Sequence, residues 1–266
     1  EIRLSLVGSE MCIRDRVKNE LYAGDISFIG SMYNEKHNLY DRLCGVNDYT
    51  KGYLDAIMKV QRSIYGYFFL EDMLKGDVLD EMMRVCPVKP NEDGVETVQY
   101  VYANYFLARR MATDERTDIL SRVGRELGRE NKINLYTPDA SVRFINVNNK
   151  GTVDYYNEMP YVFRNSRINL NITLRSIKSG IPLRCMDICG AGGFLLSNYQ
   201  ADLYDVFVPG EDMVIYDSID DLMNKCKYYL SHDAERRQIA QNGFGKIEEK
   251  HTYDVRFEEI FNRVFN

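Results

Sequence analysis

The residues best suited to chemistry lie in one short block, Ser179-Gly180-Ile181-Pro182-Leu183-Arg184-Cys185-Met186-Asp187. Gly180 permits a tight backbone, and Pro182 suits the first position of a helix. Leu183 to Cys189 then reads as a short helix whose N-terminus offers unpaired N–H groups and the positive end of a dipole to an anion. Arg184 and Asp187 stand three apart on that helix. The guanidinium is therefore either a partner for the anion or a structural brace for the carboxylate.

Two apolar runs position this block. Ile168, Leu170 and Ile172 alternate with Asn169, Asn171 and Thr173, which predicts a strand with one dry face. The loop runs from Leu174 to Pro182, and Gly190 is placed for a left-handed cap at the helix end. Gly192 and Gly193 lead into a second strand, Phe194 to Leu196, closed by Ser197-Asn198. In a parallel sheet such a loop lies at the carboxyl end of the strands, where open α/β folds bind ligands. The residues alone thus predict an α/β nucleotide-binding domain with a phosphate-facing helix.

The rest of the chain supplies further units. Asp25 to Ser31 reads as a strand opening into a loop at Gly30-Ser31, followed by Lys36 and His37. Tyr49 to Leu127 reads as several helices, including Val95 to Met111 and a separate charged helix from Asp114 to Leu127. In a plain doubly wound domain one helix would join the first two strands, so residues 49–127 are expected to be an inserted helical subdomain. Lys132 to Tyr136 is the next strand, and Arg143 to Val147 a short further one. Tyr155 to Arg164 reads as a helix with Phe163 inward. Ala201 to Phe207 is a short helix or turn, Pro209-Gly210 a turn, and Met213 to Tyr216 a strand. Ser218 caps a helix over Ile219 to Tyr229, and helices follow over Ser231 to Lys250 and Val255 to Val264.

Composition excludes several classes. The 266 residues are 45% hydrophobic and 28% charged with net charge −6, so no basic surface argues for nucleic acid. No run of eighteen apolar residues is present to span a membrane. Cys44, Cys86, Cys185, Cys189 and Cys226 show neither C-x-x-C pairing nor a neighbouring His cluster, which predicts no metal site and a reducing, cytoplasmic setting. Cys185 and Cys189, one helical turn apart, are expected to face the core. His251 is read as a capping or packing residue and His232 as a surface helix start. Leu6 to Asp15, LVGSEMCIRD, matches the translation of a transposase adaptor used in sequencing libraries. Residues 1–16 are therefore expected to be an artefact, with natural sequence lost before Val17.

The block around Asp187 resembles the donor-binding half of GT-B glycosyltransferases, most closely the spore-maturation CgeB-like group. Related families carry E-G-F-G-L-P-x-x-E, and the CgeB-like group S-G-I-P-L-R-x-x-D/E followed by G-G-F-L-L. The resemblance implies that Asp187 accepts hydrogen bonds from the nucleotide ribose, a task its two acceptor oxygens suit. Ser179 replaces the first acid, so that family contact to the donor sugar does not carry over. Ile29-Gly30-Ser31 and Lys36 fall on the family's V-G-R-x-x-x-x-K, with Ser31 in place of the Arg. Lys36 and Gly30 match, which implies a diphosphate contact from Lys36. Tyr155 to Arg164 is similar to the family's Y-x-x-M-P-x-V-F.

The resemblance therefore implies a Rossmann-like GT-B C-terminal, donor-binding domain over residues 17–48 and 128–266, with the N-terminal domain missing. Its expected site residues are Gly30, Ser31, Lys36, Ser179, Gly180, Ile181, Pro182, Arg184 and Asp187. The implied reaction moves a sugar from a nucleoside diphosphate donor to a carbohydrate or glycan acceptor, without a cofactor or metal, Lys36, Arg184 and the helix N-terminus stabilising the leaving diphosphate. The helical insertion is expected to shape the acceptor side or mediate a homodimer. Two other readings stand beside it. Cys185-Met-Asp-Ile-Cys-Gly-Ala-Gly-Gly193 resembles the first motif of S-adenosylmethionine methyltransferases, which needs a strand there. Ser31 and Ser179 also fit a nucleotide-binding domain that has lost its chemistry.

Overall fold

The computed structural model describes residues 21–34, 38–91 and 94–265. The adaptor-like residues 1–16, and Lys36 and His37, lie outside the described residues. Six strands form one sheet: β1 (Gly24–Ile29), β2 (Ile133–Tyr136), β3 (Val147–Asn149), β4 (Ser166–Asn171), β5 (Leu195–Asn198) and β6 (Val214–Tyr216). Their order is β3-β2-β1-β4-β5-β6, and every pair is parallel. This is the doubly wound order, in which the strand order reverses between β1 and β4. The fold is the α/β, Rossmann-like one expected from the alternation of apolar runs.

The chain divides into two compact units. Of the described residues, the first holds 21–30, 120–172 and 179–265, and the second 31–34, 38–91, 94–119 and 173–178. The second unit holds most of the residues expected as a helical insertion, together with Ser31 and the segment 173–178. Leu43, on the 3-10 turn Leu39–Leu43, packs with Leu54, Ile57, Phe68 and Met82 in the helical core.

In the sheet-bearing unit, α6 (Met159–Asn165), α7 (Leu183–Gly190) and α9 (Asp233–Lys250) share one apolar core with the sheet. Val162, Phe163, Cys185, Ile188, Cys189 and Ile247 meet Ile29, Leu195 and Ile215 there. Cys185 and Cys189 face this core, as their helical spacing requires. Gly243 lets α9 come close: a Cβ there would lie 2.4 Å from the Asp212 carbonyl and 3.5 Å from Cys189 Sγ. Next along the chain, α8 (Ile219–Ser231) starts at Ser218, whose hydroxyl accepts from Asp221 N–H at 3.1 Å. The last helix, α10 (Tyr253–Phe265), buries none of its residues. Tyr253, Phe257, Phe261 and Phe265 stack along it.

β4 corrects the expectation of one dry face. Both faces are buried, because a parallel sheet carries helices on each side. Ile168 and Leu170 pair in register with Ile26 and Phe28, while the asparagines between them are buried and bonded. Asn169 Nδ2 donates to Phe163 O at 2.9 Å, and Asn171 Nδ2 to Ser197 Oγ at 2.9 Å and Cys185 Sγ at 3.3 Å. The alternation separates two kinds of buried contact, apolar packing and side-chain hydrogen bonding.

Other boundaries shift. The third strand is Val147–Asn149 instead of Arg143 to Val147, and Phe144 makes only an isolated antiparallel bridge to Val147. The expected break between Met111 and Asp114 is absent. Instead α4 (Val98–Val101), a π-helical turn (Tyr102–Leu107) and α5 (Ala108–Leu127) run on continuously. The wide turn puts Tyr102, Ala103, Phe106 and Leu107 into the helical core. That core also takes one face each of α1 (Asp48–Arg62), α2 (Leu70–Met73) and α3 (Gly76–Val85).

Candidate functional site

The carboxyl ends of β1 and β4 mark the reversal of strand order, and Gly30 and the segment Ser179–Asp187 follow them in the chain. Gly30 closes β1, its N–H donating to Tyr136 O at 3.0 Å. Ser179, Gly180, Ile181 and Pro182 lead into α7, and all four belong to the same unit as Arg184 and Asp187. Ser31 belongs to the helical unit. There its hydroxyl accepts from Tyr33 N–H at 2.9 Å, and its carbonyl accepts from the Arg116 guanidinium.

Gly180 has φ +90°, the left-handed conformation that its lack of a Cβ allows. Its N–H donates to the Asp202 carboxylate, on the 3-10 turn Ala201–Asp205 that follows β5. Pro182 is the N-cap of α7, one position before the expected one, and its carbonyl accepts from Cys185 N–H at 2.9 Å. The helix ends in a hydrogen-bonded αL turn. Gly193 N–H reaches Ile188 O and Gly192 N–H reaches Cys189 O, both at 2.9 Å. Gly192, φ +78°, holds the left-handed position, so Gly190 is the last helical residue and not the cap.

Asp187 faces inward from this helix and is 1% exposed. Both of its oxygens accept from the Tyr155 hydroxyl, at 3.0 and 3.1 Å. Burial pushes the Asp187 carboxyl above the usual range, against the opposing pull of the Tyr155 bond and the Arg184 charge. Burial and the facing Asp187 charge push Tyr155 up to about 12, so the phenol keeps its proton and donates.

The expected Arg184–Asp187 brace is not formed within ion-pair distance. The Arg184 guanidinium lies 5.5 Å from the Phe163 ring centre and against Met159 Sδ. Burial lowers its proton affinity, while Asp187 and Tyr155 raise it.

Tyr155 is the partner of Asp187 that the helix expectation concealed. Residues 155–158 form a turn, and α6 begins only at Met159. Asp154 Oδ1 accepts from Tyr156 and Asn157 N–H, at 3.0 and 2.7 Å, and so holds the turn that carries the phenol. The Y-x-x-M-P block was the available signal. The segment Cys185–Gly190 is helical, which removes the strand that a methyltransferase cofactor motif requires.

His251 Nδ1 accepts from Arg256 Nη2 at 2.7 Å while the His251 backbone N–H donates to Ile247 O at 2.9 Å, a packing role at the end of α9. His232 is exposed and stacks on Tyr228 at 3.8 Å. Among the described residues no helix is long and apolar enough to cross a membrane.

Residues 109–262, more than half of the chain, match the glycosyl transferase-like family. The chain belongs to that family. The glycosyl transferase-like match includes Tyr155, the glycine loop, Asp187 and Asp202, and it leaves out Gly30 and Ser31. Two solved structures are similar in part. The crystal structure of TarM is 17% identical with a TM-score of 0.44, over 55% of this chain and 32% of TarM. Sucrose-phosphate synthase from Thermosynechococcus elongatus is 14% identical with a TM-score of 0.44, over 57% of this chain and 43% of the synthase. The chain spans less than half the length of either. A comparison with the curated proteins gave no match.

Proposed function

We propose that this glycosyl transferase-like chain is the donor-binding part of a GT-B-type enzyme of the CgeB-like kind. It would hold a nucleoside diphosphate sugar whose sugar passes to an acceptor hydroxyl. The observation that carries the reading is the position of Asp187. A buried carboxylate stands on the helix that follows the glycine loop, at the carboxyl end of β4, beside the reversal of strand order. Open α/β sheets bind nucleotides at that reversal.

In this reading the ribose hydroxyls replace the Tyr155 phenol on Asp187. The diphosphate meets the N-terminus of α7 and Arg184. Gly30, Ser179, Gly180, Ile181 and Pro182 shape the backbone around the diphosphate. Stabilising the leaving diphosphate is the contribution these residues make to transfer. A cytoplasmic location, independence of any metal or cofactor, and pairing of two copies through the helical insertion belong to the same proposal.

Isothermal titration tests it, with uridine and guanosine diphosphates in one arm and S-adenosylmethionine in the other. Saturable binding of a diphosphate and none of S-adenosylmethionine is expected. Binding of S-adenosylmethionine alone would overturn the reading.

A further inference from the structure

The glycine loop Ser179–Pro182 contains no acid of its own, yet a carboxylate is bonded to its backbone. Asp202 Oδ2 accepts the N–H of Gly180, the residue next to Ser179. Asp202 comes from the turn after β5, 22 positions along the chain. Both residues belong to the sheet-bearing unit. Ser179 and Gly180 are exposed and Asp202 is half-buried, so ligand can reach this junction.

Two further features of the same turn suit a hydroxyl-rich ligand. Gln200 is 7% exposed, and its Oε1 is buried without a hydrogen-bond partner, an acceptor in need of a donor. Tyr204 is 53% exposed, and its ring lies 5.8 Å from that of Tyr199, so the turn that carries Asp202 also presents an aromatic face. Sugar hydroxyls donate hydrogen bonds, and sugar C–H faces pack on aromatic rings. A diphosphate offers acceptors only, and a carboxylate repels it.

We infer that the turn Gln200–Tyr204 is the sugar-reading subsite of the donor site, with Asp202 as its specificity-determining carboxylate. The inference rests on the donor reading above. Asp202 plays two parts: one oxygen fixes Gly180, and the carboxylate as a whole accepts from a pair of sugar hydroxyls. The acid thus reaches the loop from a different element of the fold.

The test measures dissociation constants for diphosphates and their sugar conjugates: uridine diphosphate against UDP-glucose and UDP-N-acetylglucosamine, and guanosine diphosphate against GDP-mannose. Asp202→Asn keeps an oxygen for the Gly180 N–H but loses the charge and one acceptor. It should leave diphosphate binding unchanged and weaken the preferred sugar conjugate about tenfold or more, the size of a lost charged hydrogen bond. Asp202→Glu should recover part of that loss. Equal weakening of diphosphate and conjugate would overturn the inference and leave Asp202 as a loop brace. Unchanged affinity for both would overturn it as well, while the donor reading stands. A wild-type protein that binds no nucleotide at all would sink the donor reading and this one together.

Discussion

The Tyr155 hydroxyl donates to both oxygens of Asp187, across 32 positions of sequence, and this bond holds a buried carboxylate ready on α7. In the proposed function a ribose diol offers the same carboxylate two donors, so binding would exchange one partner for two. Asp187→Asn should therefore weaken nucleoside diphosphate binding by about 1.5–3 kcal/mol, roughly 10- to 150-fold, with the circular dichroism spectrum retained. An unchanged dissociation constant in the folded variant would remove Asp187 from the site.

The same carboxylate makes a prediction for stability against pH. Its folded-state pKa is raised, chiefly by burial, so the native chain binds its proton more tightly than the unfolded chain does. The contribution of this group is thus fully present below the unfolded value and declines as pH rises through the folded one. The melting temperature of Asp187→Asn relative to wild type should accordingly climb as pH rises from the acid range. A difference that stays flat with pH would mean that Asp187 has its ordinary pKa.

The turn after α7 distinguishes two adjacent glycines. A Cβ at Gly193 would lie 2.7 Å from Phe163 O and 2.8 Å from Asn169 Nδ2, whereas one at Gly192 meets nothing within 4 Å. Gly192→Ala should cost about 1 kcal/mol from left-handed backbone strain. Gly193→Ala should cost more, about 2–4 kcal/mol, because backbone and a buried amide must move. Urea midpoints with equal slopes give the comparison.

These contacts show what could be read in the sequence and what could not. The strands β1, β2, β4, β5 and β6 were visible as apolar runs because each crosses a buried sheet. The asparagines of β4 look like a solvated face, since alternation does not reveal that the second face is covered by α6 and α7. Gly190, Gly192 and Gly193 are equally able to cap a helix, and only the Ile188 and Cys189 carbonyls choose Gly192. Residues 155–158 carry no helix breaker, and it is the Asp154 side chain that holds them in a turn from which Tyr155 reaches Asp187. Asp202 had no signal at all, because its partner is a backbone N–H far away in sequence.

Thiol reactivity should follow burial. Burial pushes the Cys185 and Cys226 thiols up to about 12, and that of Cys189 well above its ordinary value, whereas Cys44 is exposed. The thiolate is the reactive form, so among the cysteines of the described residues Cys44 should be alkylated first when native protein is treated with iodoacetamide. Cys185, Cys189 and Cys226 should react only after unfolding. Peptide mass spectrometry reads this directly, and rapid native labelling of Cys185 would show that α7 opens.

In the helical unit, Arg175 and Glu115 form an ion pair at 2.6 Å with both side chains only 4% exposed. Arg175 also donates to Arg62 O at 3.1 Å and lies 3.2 Å from the Tyr65 ring centre, which fixes the segment 173–178. Removing one member of a buried pair leaves the other charge uncompensated, at a cost of about 3–5 kcal/mol, whereas replacing both is often close to neutral. Arg175→Met should therefore destabilise the protein far more than Arg175→Met combined with Glu115→Leu. Burial raises the Glu115 pKa, with Arg175 the largest of three arginine charges that oppose the shift, ahead of Arg62 and Arg116. Taking Arg175 away lets the pKa rise further. A protonated Glu115 needs no cation, so the stability lost in Arg175→Met should shrink as pH falls through that raised value and be greatest above it. Chemical denaturation of the single and double variants at pH 5 and at pH 8 measures both effects. A single variant as stable as the double at pH 8 would show that Arg62 and Arg116 compensate Glu115 without Arg175.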